Sequence, residues 1–92
     1  MAGLSDAEVT QRLANLPGWK QDGNAITKTF EAETFASGIE FVRKVAMTAD
    51  EMDHHPDIDI RYTNITFRLT SHDTGGVTDR DLRLATEIND LA

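Results

Sequence analysis

Three stretches of the chain repeat apolar residues at the spacing of an amphipathic helix. A capping box at residues 5–8 (Ser-Asp-Ala-Glu) predicts a first helix, which the Pro-Gly pair at 17–18 brings to an end. Thr34 is a cap residue for a long second helix, and a following proline ends it near residues 53–55. The cap signal of a closing helix is Thr-Asp-Arg-Asp at 78–81. The apolar positions of the three helices are Val9, Leu13 and Leu16; Ile39, Val42, Ala46 and Ala49; and Leu82, Ala85, Ile88 and Leu91.

Alternation of apolar and polar residues predicts strands between these helices. Asp-Gly-Asn at 22–24 is a hairpin turn signal, which joins a short extended segment to a strand over about residues 25–30. Two further alternating segments cover residues 57–62 and 65–70, and a tight connection joins them. The element order is therefore α-β-β-α-β-β-α.

Two hairpins separated by a helix favour an α+β fold, with a four-stranded antiparallel sheet and three helices packed on one face. The sequence has no linker or repeat, so we expect residues 1–92 to form a single domain. The outer strands of such a sheet expose unpaired backbone groups. Pairing of two copies along an edge hides them, and this predicts a homo-oligomer.

Composition narrows the partners and the compartment. The 9 Lys and Arg against 16 Asp and Glu give a net charge of −7, which argues against binding nucleic acid or an anionic membrane. The chain has no cysteine, which excludes disulfides, iron–sulfur clusters and thiol catalysis. No apolar run approaches the roughly 18 residues of a membrane span, and residues 1–6 lack the pattern of a signal peptide. We therefore expect a cytoplasmic protein without nucleic acid or membrane partners.

The candidate chemistry lies in three histidines, His54, His55 and His72. Histidine has an unperturbed pKa of about 6.5, so it can both donate and accept protons near neutral pH. His54 and His55 follow the second helix, and His72 follows the last strand. A hairpin brings the end of its second strand back beside the start of its first, so the three imidazoles are expected at one end of the sheet. Asp81, in the first turn of the last helix, could orient one of them.

Simpler interpretations of the same residues stay open. A histidine at a helix end is commonly a surface cap, and an aspartate in a first helical turn commonly stabilises the helix. Trp19 has the size and character of a core residue. Three histidines can also hold zinc. However, neighbouring helical residues point about 100° apart, so His54 and His55 are poorly placed to share one ion, and we expect no metal.

The spacing of these residues resembles that of the pterin-4a-carbinolamine dehydratases. The match consists of Asp-Glu-Met-Asp-His-His-Pro at 50–56, Tyr62, Thr-Ser-His-Asp at 70–73, and Gly-Gly-Val-Thr-x-x-Asp at 75–81. A Pro-Gly-Trp segment at 17–19 extends the resemblance over nearly the whole chain. One departure is the acidic residue four positions before His54, which is commonly Glu in the family and is Asp50 here.

The resemblance implies a dehydratase that converts a 4a-hydroxytetrahydropterin, such as 4a-hydroxytetrahydrobiopterin, to a quinonoid dihydropterin and needs no cofactor. It implies that His54 and His72 transfer protons, that His55 holds and polarises the substrate, and that Asp81 orients a histidine. It also implies recycling of pterin for an aromatic amino-acid hydroxylase, in a homodimer or homotetramer. The alternative is a module of the same fold that binds proteins without catalysis. The positions expected to contact the substrate are Asp50, Asp53, Thr70, Ser71, Asp73 and Trp19.

Overall fold

The computed structural model describes residues 3–92. Met1 and Ala2, which belong to the initial segment without a signal-peptide pattern, lie outside the described residues. The elements are α1 (Asp6–Leu13), β1 (Lys20–Asp22), β2 (Ala25–Glu31), α2 (Phe35–Met52), β3 (Asp57–Arg61), β4 (Asn64–Leu69) and α3 (Asp79–Leu91). This order confirms the predicted α+β arrangement. In the described part of the chain, no helix combines the length and apolar character that crossing a membrane requires.

The first two helices begin where the sequence predicts, and side-chain capping bonds close both helix starts. The Ser5 hydroxyl accepts the Glu8 N–H at 3.1 Å, and the Glu8 carboxylate accepts the Ser5 N–H at 3.0 Å. Thr34 and Ser37 make the same reciprocal pair of bonds at the start of α2. The end of α1 differs from the expectation, because α-helical bonding stops at Leu13, well before the Pro-Gly pair. The next three N–H groups bond three residues back instead, which tightens the last turn.

The sheet has the strand order β1-β2-β4-β3, and all neighbouring strands are antiparallel. The central pair is β2 with β4, whose register places Ile26 opposite Leu69 and Phe30 opposite Ile65. Because β4 is a central strand, the residues that follow it lie at the middle of one edge of the sheet, where the strands end. The start of β3 lies beside that point, since Asp57 pairs with Arg68.

The core lies on one face of the sheet, between the sheet and the helices. Ile65, Phe67 and Leu69 are fully buried along β4, whereas the alternating residues between them are only partly buried. Phe67 makes edge contacts with Phe30 and Phe41, which joins β2, β4 and α2. This one-sided burial agrees with helices packed on a single face of the sheet.

The edge strand β3 alternates apolar and polar residues but lies open to solvent. Every residue of β3 is exposed, and Ile58, Ile60 and the following Tyr62 are 37%, 38% and 75% exposed. Ile58 lies opposite the buried Phe67, so it faces the helix side of the sheet. The alternation therefore identifies the strand and its face correctly, but this edge remains open to solvent.

Candidate active site

A left-handed residue at the end of α2 directly precedes the two adjacent histidines. Asp53 has φ 50° and ψ 44°, which ends the helix and turns the chain towards Pro56. The His54 N–H donates to the Ala49 carbonyl at 3.1 Å and closes the helix end. As a result His54 is buried in the protein, whereas His55 is exposed.

A fully buried carboxylate holds His54 in place. Asp81 Oδ1 lies 2.5 Å from His54 Nε2. Its other oxygen, Oδ2, accepts the Ser71 hydroxyl at 2.9 Å and the Thr78 N–H at 2.9 Å. An ionised Asp81 accepts all of these bonds, so the ring hydrogen of His54 lies on Nε2. The second ring nitrogen, Nδ1, is then the one available for proton transfer.

The loop after β4 carries His72 to the same place. The Ser71 carbonyl accepts the N–H groups of Thr74, Gly75 and Gly76, which closes the base of the loop. Gly75 has φ 74°, a left-handed conformation that favours glycine. His72 follows the buried Ser71 and is exposed.

All three histidines line one open cleft of about 260 Å³. The structure therefore brings together the segments that the sequence placed at one end of the sheet. The residues that line the cleft are Asp53, His54, His55, Thr70, Ser71, His72, Asp73 and Arg80. Among the proposed contact residues in this set, Thr70 has its hydroxyl committed, because it donates to the Asn24 carbonyl at 2.7 Å.

Two carboxylates near the cleft are held by cationic or ionisable partners. Asp50 Oδ1 lies 2.9 Å from His55 Nε2. Asp50 therefore contacts a histidine that lines the cleft, but it does not line the cleft itself. Arg80 donates to Asp73 at 2.6 Å, and this hydrogen bond holds the pKa of the Asp73 carboxyl below its usual value. Sequence reasoning overlooked Arg80. A signal was present, since a cation in the first turn of a helix opposes the helix dipole.

Trp19 does not join the cleft. Its side chain is buried in the hydrophobic core, and its indole N–H donates to Asn89 Oδ1 at 3.0 Å. The simpler interpretation of Trp19, a core residue, is therefore the one that the structure supports. A separate groove of about 340 Å³ lies between Phe30, Phe41, Ile65 and Leu91, but it is mainly apolar and contains no histidine.

The histidines and carboxylates do not form a recognisable metal centre. Within residues 3–92, no group of three or more His, Cys, Asp or Glu side chains is arranged to hold a metal ion. His54 Nε2 is directed at Asp81, and His55 Nε2 is directed at Asp50. The geometry instead provides imidazoles oriented by carboxylates, an arrangement suited to proton transfer.

Comparison with known proteins connects this geometry to one family. The model of the pterin 4 alpha carbinolamine dehydratase family matches residues 2–91. A protein of Roseiflexus sp. (strain RS-1), provisionally named a pterin-4-alpha-carbinolamine dehydratase, is 51% identical over 96% of this chain and 95% of its own. A protein of Mycolicibacterium smegmatis with the same provisional name is 48% identical over 97% of this chain and 95% of its own.

Solved structures agree with the fold. The crystal structure of a transcriptional coactivator/pterin dehydratase from Brucella melitensis has a TM-score of 0.94 and 30% identity, and it covers 98% of both chains. A pterin dehydratase-like protein, described as a RuBisCO assembly factor in the alpha-carboxysome, has a TM-score of 0.70 over 82% of this chain and 89% of its own. At 20% identity, it supports the fold alone. The family model and the similar sequences both extend over nearly the full chain, and the chain therefore belongs to the pterin-4a-carbinolamine dehydratase family.

Proposed function

We propose that the protein dehydrates 4a-hydroxytetrahydropterins, such as 4a-hydroxytetrahydrobiopterin, to quinonoid dihydropterins and water. The observation that carries the proposal is the buried Asp81–His54 pair on a cleft that His55 and His72 also line. Burial of a carboxylate costs free energy unless hydrogen bonds or an opposite charge satisfy it. Here the same carboxylate is satisfied and also fixes the ring orientation that proton transfer needs.

The reaction removes a hydroxyl group from a ring carbon and a proton from the neighbouring ring nitrogen. One protonated imidazole donates a proton to the departing oxygen, which leaves as water with the electron pair of the carbon–oxygen bond. One neutral imidazole accepts the nitrogen proton, and the nitrogen electron pair forms the new carbon–nitrogen double bond. Exchange with solvent returns both imidazoles to their starting forms. Such acid–base assistance typically contributes about 10²–10⁴-fold to the rate.

We assign the base to His54 and the acid to His72. With its Nε2 hydrogen directed at Asp81, His54 presents Nδ1 as an acceptor, and the imidazolium that forms lies 2.5 Å from an ionised carboxylate. His72 is exposed on the loop, so it can take up a proton from solvent before each turnover. His55, which Asp50 contacts, is assigned to holding and polarising the pterin ring.

A dehydration assay tests the proposal directly. The purified protein is mixed with a chemically prepared 4a-hydroxytetrahydropterin, and the quinonoid product is followed by absorbance with and without EDTA. We expect the protein to accelerate product formation equally in both conditions. The variant carrying both His54→Ala and His72→Ala is the matched negative control. A wild-type rate equal to that of buffer alone would refute the dehydratase proposal, and a rate that EDTA abolishes would require a metal.

The biological role that we propose is recycling of pterin for an aromatic amino-acid hydroxylase in the cytoplasm. Removal of the 4a-hydroxyl converts the hydroxylated pterin to a quinonoid dihydropterin, which a reductase can reduce for another round of hydroxylation. Deletion of the gene should therefore make hydroxylase activity in the cell depend on a continuous supply of fresh pterin. Unchanged growth and pterin content under hydroxylase demand would contradict this role.

We also propose that the protein forms a homodimer, which can extend to a tetramer, through the exposed edge strand β3. In the continuous sheet, residues that face the same side must lie opposite each other. A two-fold axis at Ile60 places Asp59 opposite the partner's Arg61. An axis at Asp59 would instead place two Asp59 carboxylates opposite each other.

Charge exchange tests this register. Asp59→Arg alone and Arg61→Asp alone should each shift the sedimentation coefficient towards the monomer, because like charges then face each other across the edge. The double variant should restore the dimer. A dimer that Asp59→Asn strengthens would support the axis at Asp59, because that change removes two facing carboxylates. A monomeric wild-type protein would refute the dimer proposal.

The second candidate function is a protein-binding module without catalysis. Exposed apolar side chains on α2 favour it, since Phe35, Ile39 and Met47 are all exposed. The names of the two solved neighbours refer to transcriptional coactivation and to RuBisCO assembly, respectively. The dehydration assay separates the two candidates, because a non-catalytic module leaves the rate at the buffer value.

A further inference from the structure

We propose that Arg80 is a positioning residue that holds His72 at the cleft by means of its ion pair with Asp73. Arg80 donates to Asp73 at 2.6 Å, and Asp73 follows His72 directly in the loop. The inference rests on the proposed dehydration, in which His72 transfers a proton.

The first turn of α3 contacts both segments that carry the proton-transferring histidines. Asp81 holds His54 at the end of α2, and the preceding residue, Arg80, holds Asp73 in the loop after β4. Successive helical residues point about 100° apart, so neighbouring positions reach two different segments. One rigid turn of helix thereby sets the separation of the two imidazoles.

The Asp73–Arg80 pair joins the outer half of the His72 loop to α3. At the base of the loop, the Ser71 carbonyl accepts three backbone N–H groups. The side chain of His72 makes no hydrogen bond to any of residues 3–92, so its placement follows the backbone that carries it. The Asp73–Arg80 pair fixes that backbone immediately after His72.

Stability of α3 does not account for an arginine at this position. The dipole of a helix favours anions in the first turn, where Asp79 and Asp81 fit and Arg80 does not. Exposed ion pairs also contribute little to folding. The pKa of Asp73 lies below its usual value because Arg80 donates to it, so the pair remains ionised at neutral pH. An effect of Arg80 on catalysis can therefore be separated from an effect on folding.

The test is a double-mutant cycle in the dehydration assay. Arg80→Ala, Asp73→Asn and the double variant are compared with the wild type, together with Arg80→Lys. The matched control is Arg12→Ala, which breaks the exposed 2.9 Å ion pair between Arg12 and Asp79. Asp79 is on the same helical turn as Arg80, but neither residue of this pair lines the cleft.

We expect Arg80→Ala to lower kcat by about tenfold with less than about a threefold change in KM, because misplacement of a catalytic group slows the chemical step. Asp73→Asn should cause a similar loss, the double variant no further loss, and Arg80→Lys a partial recovery. Arg12→Ala should retain the wild-type rate. Additive losses in the cycle, or a rise in KM alone, would overturn the proposal and indicate that Arg80 contacts the substrate. Full activity of Arg80→Ala would also overturn it, because Arg80 would then have no role in the reaction.

A measurement without substrate separates this proposal from the dehydratase proposal. The imidazole C–H resonances of His72 in the NMR spectrum should shift or broaden in Arg80→Ala, while those of His54 remain at their wild-type positions. If the His72 resonances respond but the wild-type protein does not dehydrate the substrate, the dehydratase proposal fails and the positioning of His72 by Arg80 is still supported. If the His72 resonances are unchanged, the positioning proposal fails whatever the activity.

Discussion

Replacement of Asp81 by asparagine tests the central contact of the site with little change in side-chain volume. The carbonyl oxygen of asparagine can still accept the Thr78 N–H and the Ser71 hydroxyl, which meet at Asp81 Oδ2. The amide nitrogen then faces His54 Nε2 in place of Oδ1. Since an amide nitrogen donates, the ring hydrogen of His54 must move from Nε2 to Nδ1. His54 thus loses the acceptor that the proposed reaction needs.

The magnitudes of the two effects differ widely. The loss of one hydrogen bond to a charged group costs about 1.5–3 kcal/mol. A typical domain has about 5–15 kcal/mol of stability, so Asp81→Asn should remain folded. Loss of general base catalysis should lower kcat by about 10²–10⁴-fold. The variant should therefore show a large fall in rate with only a modest fall in the free energy of unfolding.

Asp79→Asn is the matched control, because it removes an exposed carboxylate from the same helical turn. Steady-state dehydration kinetics and urea unfolding are measured for both variants. Asp79→Asn should retain the wild-type kcat. If Asp81→Asn keeps more than about a third of the wild-type kcat while it remains folded, then Asp81 does not set the protonation of His54, and the assignment of the base is wrong.

Three further predictions concern other parts of the molecule. His54→Ala and His72→Ala should each lower kcat by at least about tenfold, and wild-type kinetics in both variants would refute their roles in proton transfer. Trp19→Phe should lower the free energy of unfolding by about 1–2 kcal/mol through loss of the bond to Asn89, with KM unchanged, whereas a raised KM would place the indole at the substrate. The folded-state pKa of Asp73 is lowered, so its contribution to stability is complete above the unfolded value of about 4 and is lost as the pH falls through the folded value. Urea unfolding between pH 5 and pH 2.5 should therefore show a smaller acid loss in Asp73→Asn than in the wild type.

Much of the fold could be predicted from local signals. The bonds between Ser5 and Glu8 and between Thr34 and Ser37 are formed by residues three apart, so the sequence displays them directly. Alternation identified β3 and β4, because side-chain direction in a strand depends only on position along it. The exposure of β3 along its whole length could not be read from this alternation, since it depends on which neighbours lie beside the strand in the sheet.

The candidate site could be predicted in part for the same reason. The three histidines were placed at one end of the sheet from the return of a hairpin, and the structure has them on one cleft. The sequence predicts that Asp81 orients a histidine, but it does not show that this histidine is His54 or that Trp19 contacts Asn89, because these partners are far apart in the chain. Arg80 was overlooked since its role depends on where the loop with Asp73 lies.

The carboxylate that holds His54 also accepts the Thr78 N–H at the beginning of α3, so one side chain serves folding as well as the proposed chemistry. If the reaction were no longer needed, selection for folding alone would still retain an acceptor here, because the Thr78 N–H and the Ser71 hydroxyl are buried and need a partner. A descendant that had become a scaffold for other proteins would be expected to keep Asp or Asn at this position and to lose its imidazoles. For sorting active from inactive members of the family, the histidines are therefore informative positions, and the aspartate is a poor one.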